Sequence, residues 1–500
     1  MSVSKLHDFP PDSFVRLHRI NLMKHDRESA PARPDEPTLT FWGAASGVTG
    51  SMHLLETPER TVLLDCGMYQ GKREEARQRN AHFPFKPEAV DACIISHAHI
   101  DHCGNLPTFV RQGFRGPVFV TPPTADLLRV MLKDSAKIQE EDAGHLNIAR
   151  NYAEPLVQPL YTFADVDRAL EQVVPVPYGK EVEVTRGVRF YFAEAGHVLG
   201  SALVHATFDA PDRPRTLTFT GDLGRRGMPL LKQAAPVPPA DVLVCESTYG
   251  NRTHVSLSAT IDKLYEAVRT TAARGGKALI PAFSFGRSQL IIHILQLGLM
   301  KGLIPKVPIY VDSPLAAEVA EVYRNHPNAL EADVAQAVKE GHGLLGGDGV
   351  RYVRTFDESL QLATRPGPSV IVASSGMCDA GRILTHLKQN VDDPRCMVIL
   401  VSFQASGTTG RKLLENKPTV WIQGKEWNKW IEVVHLDGFS GHADQNDFTA
   451  YLSPLVGHVG KVRLIHGERE QSEALAQNLR NLGFDDVGVP SPGDRVTIGS

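Results

Sequence analysis

Residues 97–102 read His-Ala-His-Ile-Asp-His, three imidazoles and one carboxylate in six positions. Imidazole nitrogen and carboxylate oxygen are the side-chain groups that bind zinc at neutral pH. Four of them at the first, third, fifth and sixth places serve two neighbouring metals better than one. The run follows the apolar stretch Ala92-Cys93-Ile94-Ile95, so it sits at the end of a buried strand. The same residue types recur just after other apolar stretches: Asp65 after 61–64, His197 after 188–193, Asp222 after 216–220, Glu246 after 241–245 and His466 after 461–465. Loops at strand ends on a rigid sheet are where sites are built. Strands that share one edge bring all six groups together.

Two metals about 3.5–4 Å apart activate a water and stabilise the leaving oxygen of a phosphodiester. On this chemistry His97, His99 and His197 hold the first zinc. Asp101, His102 and His466 hold the second, and Asp222 bridges them. Cys103 follows the cluster, but nitrogen and oxygen groups already fill both sites. Sites of this kind tolerate several divalent ions, manganese included. Asp65 suits a supporting role, accepting the free N–H of a ligating imidazole. A second cluster, Phe439-Ser440-Gly441-His442-Ala443-Asp444, precedes the strand that delivers His466. A histidine beside the metals but not bound to them suits protonation of a leaving 3′-oxygen. His442 takes that role, Glu246 keeps it charged, and Ser440 contacts the phosphate. The loops at 283–287 and 374–382 precede helical segments, whose N-termini attract phosphate. Arg287, Ser375, Gly376 and Arg382 are the expected phosphate contacts.

The elements that position these groups have two rhythms. Strand candidates at 39–43, 61–64, 91–96, 188–193, 216–220, 241–245 and 461–465 deliver the ligands, and Leu and Met spacing predicts a helix over 126–139. Between them, residues 277–281, 307–311, 369–373 and 397–401 each lead through a polar loop to a helix. Repeated strand–loop–helix units predict a parallel α/β domain. It occupies 251–430, inserted between a first part (38–250) and a returning part (431–500). Residues 1–37 are polar and proline-bearing, a low-order extension by composition. They show no secretory pattern.

The chain has 500 residues, 42% hydrophobic and 22% charged, with a formal charge of −4, so it is not a generally basic nucleic-acid binder. Six scattered cysteines without a CxxC pair fit reduced thiols and a cytoplasmic location. No run of eighteen apolar residues predicts a membrane span.

These motifs resemble the β-CASP branch of the metallo-β-lactamase-fold hydrolases, over residues 39–500. The HAHIDH run, Asp65, Gly196-His197 and Gly221-Asp222 match the superfamily motifs. Glu246-Ser247-Thr248-Tyr249-Gly250, His442 in FSGHAD and His466 in LIHGE match the three motifs special to the branch. Within it the chain is most similar to the nuclease subunit of the cleavage and polyadenylation specificity factor and its short prokaryotic relatives. The resemblance implies an αββα sandwich with an inserted parallel α/β (β-CASP) domain closing over the active site. It implies a zinc-dependent ribonuclease on single-stranded RNA, endonucleolytic with 5′-to-3′ exonuclease activity as a second mode. Histidine at position 442 goes with RNA-processing members, whereas DNA-repair members tend to carry valine. The family also admits a homodimer formed near the C-terminus. Residues 1–37 are too few for the RNA-binding KH domains of archaeal members. Competing expectations are a small-ester hydrolase of the same superfamily and a non-catalytic scaffold. The large insert weighs against the first and the complete ligand set against the second.

Overall fold

The computed structural model describes residues 34–499, apart from 211, 348 and 416. The extension expected over 1–37 lies outside the described residues as far as residue 33.

Three sheets organise the fold. The first has seven strands in the order Arg495–Thr497, Thr38–Gly43, Met52–Glu56, Thr61–Leu64, Ala92–Ile94, Val118–Val120, Val173–Pro175. The second runs Val487–Gly488, Lys461–Ile465, Val242–Glu246, Arg215–Phe219, Ala202–Phe208, Val188–Glu194, Val182–Thr185. Alternation along the strands explains why the two sheets pack face to face. Val62, Leu64, Ala92 and Ile94 point inward and meet Phe190, Phe192, Val204, Phe219 and Val244 of the other sheet. Their neighbours Leu63 and Cys93 point the other way, into a core shared with helices Leu106–Arg111, Pro122–Ala149 and Phe163–Leu170. On the far side Leu243, Cys245 and Leu464 pack under helices Gln445–Leu452 and Arg469–Leu482. The result is the expected αββα sandwich.

The third sheet is the insert: Val350–Tyr352, Ile309–Asp312, Ser369–Ala373, Lys277–Pro281, Met397–Leu400, Glu432–His435, every neighbouring pair parallel. Its last strand follows residue 430.

Strand direction gathers the site. Thr61–Leu64 and Ala92–Ile94 are parallel, as are Arg215–Phe219, Val242–Glu246 and Lys461–Ile465. Their C-terminal ends therefore release Asp65, His97, Asp222, Glu246 and His466 at one edge. The helix expected over 126–139 is longer, Pro122–Ala149. Thr121 caps it by accepting the Thr124 N–H, and Pro122 and Pro123 occupy its first turn. Its second half is polar and carries little apolar spacing. All six cysteines are buried and unpaired. Among the described residues no helix is long and apolar enough to cross a membrane.

Candidate metal centre and active-site cleft

The chain turns sharply after Ile94. His99 precedes the short helix Ile100–Cys103, which carries Asp101 and His102 inward. Gly67 makes that turn feasible: a Cβ there would lie 1.7 Å from the Asp101 carbonyl oxygen. Asp65 sits just upstream in left-handed backbone, φ 58°. Its carboxylate accepts the Ser96 N–H (2.7 Å), the Ser51 hydroxyl (2.9 Å) and His102 Nδ1 (2.7 Å). His102 Nε2 is thereby aimed into the cluster.

Ligand atoms cluster within 4.8 Å of one another inside each of two groups: His97, His99, His197 and Asp222 in one, Asp101, His102 and His466 in the other. Asp222 faces both. Its Oδ2 lies 3.5 Å from His97 Nε2 and 3.5 Å from His197 Nε2. Its Oδ1 lies 3.3 Å from His102 Nε2 and 3.5 Å from His466 Nδ1. Neighbours fix the rings. His197 Nδ1 faces the Gly441 carbonyl at 3.2 Å, and Thr248 Oγ1 lies 3.1 Å from His466 Nδ1.

The donor set fits divalent cations. His197 Nε2 and Asp222 Oδ1 are buried without a hydrogen-bond partner. His102 Nε2 and His466 Nε2 meet at 3.2 Å, nitrogen to nitrogen. Buried polar atoms left this way are costly unless something else satisfies them. Burial, reinforced by neighbouring imidazoles, holds His97 and His197 well below the usual histidine value. Burial lowers His99 to about 4. All three rings are therefore neutral, with lone pairs to give. Burial works to raise Asp222, but the His102 and His466 charges hold it well below the carboxylate range. Two nitrogen- and oxygen-lined groups that share one carboxylate make a cluster able to hold divalent metal.

His442 enters by a different route. The chain returning from the insert pairs Arg225 N with the Gly441 carbonyl (2.9 Å) and Ala443 N with the Leu223 carbonyl (2.8 Å), on either side of His442. The ring lies 4.4 Å from the His197 ring, and its Nδ1 is 3.1 Å from Glu246 Oε1. Glu246 is fully buried and also accepts the Leu223 N–H (2.7 Å) and Thr248 N–H (3.2 Å). Burial alone would lower His442. The Glu246 charge and hydrogen bond, with Asp222 and Asp101, raise it to about 9. His442 also stands within ligand reach of Asp222 and His466.

A cavity of about 510 Å³ opens between the sandwich and the insert. His99, Asp101, His197, Asp222 and His442 line one wall; Phe283 to Arg287, Ser374, Ser375, Ser402 and Phe403 line the other. Ser440 and Arg287 also face it, although the Arg287 guanidinium donates to the Val401 carbonyl. Two expected phosphate contacts need correction. Arg382 is not on the cavity wall, because its guanidinium is bonded to Asp312 (2.6 Å) and to the Val353 and Arg354 carbonyls. Gly376 is buried behind the wall, its carbonyl accepting the Gln404 amide. Sequence reasoning missed Phe285, whose ring meets His99 edge-on at 4.9 Å, and Thr248 beside His466. The signals were an aromatic in the 283–287 loop and a threonine within the Glu246-to-Gly250 motif.

A cluster of imidazoles and carboxylates at the strand ends of an αββα sandwich, walled by a parallel α/β insert, defines a class of metallo-hydrolase. The chain belongs to the β-CASP family of the metallo-β-lactamase superfamily. Residues 45–248 match the metallo-β-lactamase superfamily, 288–413 the Beta-Casp domain and 431–490 a Zn-dependent metallo-hydrolase RNA specificity domain. The chain is similar to Ribonuclease TTHA0252 of Thermus thermophilus, 37% identical over 457 residues, covering 91% of this chain and 99% of the relative. It is also similar to transcription termination factors FttA. The one from Pyrococcus horikoshii is 31% identical over 92% of this chain and 70% of the relative. The one from Methanocaldococcus jannaschii is 30% identical over 92% and 71%.

Proposed function

We propose that the protein is a ribonuclease that hydrolyses phosphodiester bonds of single-stranded RNA with two divalent ions, zinc in the first instance. Endonucleolytic cutting is its main mode, and 5′-to-3′ exonucleolysis a second. The observation that carries this is Asp222, with one oxygen turned to each group of imidazoles. The ribonuclease relative and the RNA specificity match support RNA as the substrate. Held there, divalent ions would supply the activation of a water and charge stabilisation at the scissile phosphate.

The chain's own groups do the rest. His97, His99 and His197 would hold one ion and Asp101, His102 and His466 the other, with Asp222 turned to both groups. Asp65 orients His102. His442, kept protonated by Glu246, donates its proton to the leaving 3′-oxygen. Ser440, Ser375 and Arg287 on the cavity wall hold phosphate oxygens. The insert walls the cleft opposite the metal-binding groups, which a small-ester hydrolase does not need.

The test is cleavage of a 5′-labelled single-stranded RNA by zinc-loaded protein, beside a His442→Ala variant and a matching DNA. Internal RNA cuts that vanish in the variant, with DNA spared, support the assignment. Intact RNA with zinc bound would move the protein to the small-ester hydrolases or the scaffolds.

A further inference from the structure

The insert presents two bare aromatic rings to the cleft. Phe283 is 42% exposed and Phe403 is 61% exposed. Both line the cavity that holds His99, Asp222 and His442. They follow the C-terminal ends of Lys277–Pro281 and Met397–Leu400, which are paired neighbours in the insert's sheet. Single exposed apolar side chains are ordinary on a protein surface. Two on neighbouring strand ends, inside one active-site cavity, call for an occupant.

Their backbones are firmly held. The Phe283 carbonyl accepts both the hydroxyl (2.7 Å) and the N–H (3.2 Å) of Ser288. Gly376 backs the Phe283 ring so closely that a Cβ there would lie 3.2 Å from two ring carbons. The Gly376 carbonyl in turn accepts the amide of buried Gln404 (2.9 Å), which also donates to the Ser402 carbonyl (2.9 Å). One glycine thus ties together the two loops that carry the rings. The rings stay exposed because the loops hold them out, not because the loops are loose.

The two walls of the cavity also differ in chemistry. Every carboxylate on it, Asp101, Asp134 and Asp222, comes from the sandwich. The insert's wall offers aromatic rings, serine hydroxyls and the Arg287 guanidinium. Aromatic faces take planar bases, and hydroxyls and guanidinium take phosphate oxygens.

We propose that Phe283 and Phe403 form a base-stacking subsite that receives unpaired RNA bases beside the bond being cut, one base against each ring. The subsite rests on the ribonuclease activity proposed above. Every base has a π-face, so stacking of this kind is tolerant of sequence. It excludes duplex, whose bases have no free face. Single-strand selectivity therefore resides in the insert, apart from the metal ligands.

The test uses zinc-loaded full-length protein and single-stranded RNAs carrying one 2-aminopurine, moved stepwise along the strand. Stacking quenches this fluorophore. Phe283→Ala and Phe403→Ala are compared with Phe283→Trp and Phe403→Trp, with melting temperature and zinc content as checks on folding. Wild type should quench the fluorophore at two positions flanking the cut. Each alanine variant should restore fluorescence at one of them and raise KM roughly 5- to 150-fold, with kcat changed far less. Each tryptophan variant should restore both quenching and KM. Unchanged quenching and KM in both alanine variants, while wild type still cuts RNA, would overturn the stacking subsite alone. A wild type that neither binds nor cuts RNA would overturn the ribonuclease activity as well.

Discussion

Glu246→Gln separates the proton-donor role proposed for His442 from the metal centre. Glu246 touches His442 at 3.1 Å and is not among the atoms grouped for metal binding. Its charge is a main cause of the rise of His442 from 6.5 to about 9. At 1.36 kcal/mol per pKa unit, that rise favours the imidazolium by about 3 kcal/mol. The folded value is raised, so this stabilisation is fully present below pH 6.5 and fades as pH rises through about 9. Without the carboxylate charge, His442 returns toward the ordinary value of 6.5. At about pH 8 the acid form then falls from nearly complete to a few per cent, and RNA cleavage falls roughly 30-fold; at about pH 6 the loss is under about twofold. The amide also sets N–H against the Leu223 or Thr248 N–H, at a cost of about 1–3 kcal/mol in stability. The assay is single-turnover cleavage across pH, with ordinary RNA and with RNA whose scissile 3′-oxygen is replaced by sulfur. A thiolate leaves without a proton, so that substrate should be spared. A defect independent of pH, or equal for both substrates, would refute the assignment of His442 as the acid.

Other substitutions separate the remaining roles. His99→Ala and Asp222→Ala should each lower bound metal and abolish cleavage; elemental analysis showing full occupancy in both would sink the ligand assignment. Arg382→Gln breaks a buried pair with Asp312 and should cost about 3–5 kcal/mol in chemical denaturation. It should leave the salt dependence of RNA binding unchanged, since Arg382 is off the cavity wall. Phe192→Ala removes a fully buried ring between the two large sheets and should cost about 3–5 kcal/mol, read as a fall in melting temperature with metal stoichiometry retained. Gly67→Ala forces the Asp101 loop away and should weaken metal binding more than it lowers the melting temperature.

Much of the centre was legible because chemistry and secondary structure punctuate the chain at the same places. His97, Asp222 and His466 each end an apolar strand, so one inference supplied both the ligand and its position. The alternating insert was legible for the same reason. Less visible were elements with weak periodicity. Met52–Glu56 is a short strand, and Ala202–Phe208 is mostly buried along its length, so neither alternates clearly. Arg382 shows the limit at the site. An arginine before a helix looks like a phosphate ligand until Asp312, seventy residues upstream, is seen to accept from it. Phe283 and Phe403 read as ordinary apolar residues because exposure is a property of the packed fold.

Strands Val242–Glu246 and Lys461–Ile465 pair register by register, from Val242 with Lys461 to Glu246 with Ile465, yet the whole insert lies between them in the chain. A nascent polypeptide therefore presents His97, His99, His197 and Asp222 long before His442 and His466 leave the ribosome. One group of candidate ligands is thus made early; the other waits for the returning chain to dock. Such distant pairings form slowly, and domains tend to fold as units in order of synthesis. The insert thus has time to settle before the returning strand docks. The full set of imidazoles and carboxylates comes together only when Lys461–Ile465 docks beside Val242–Glu246.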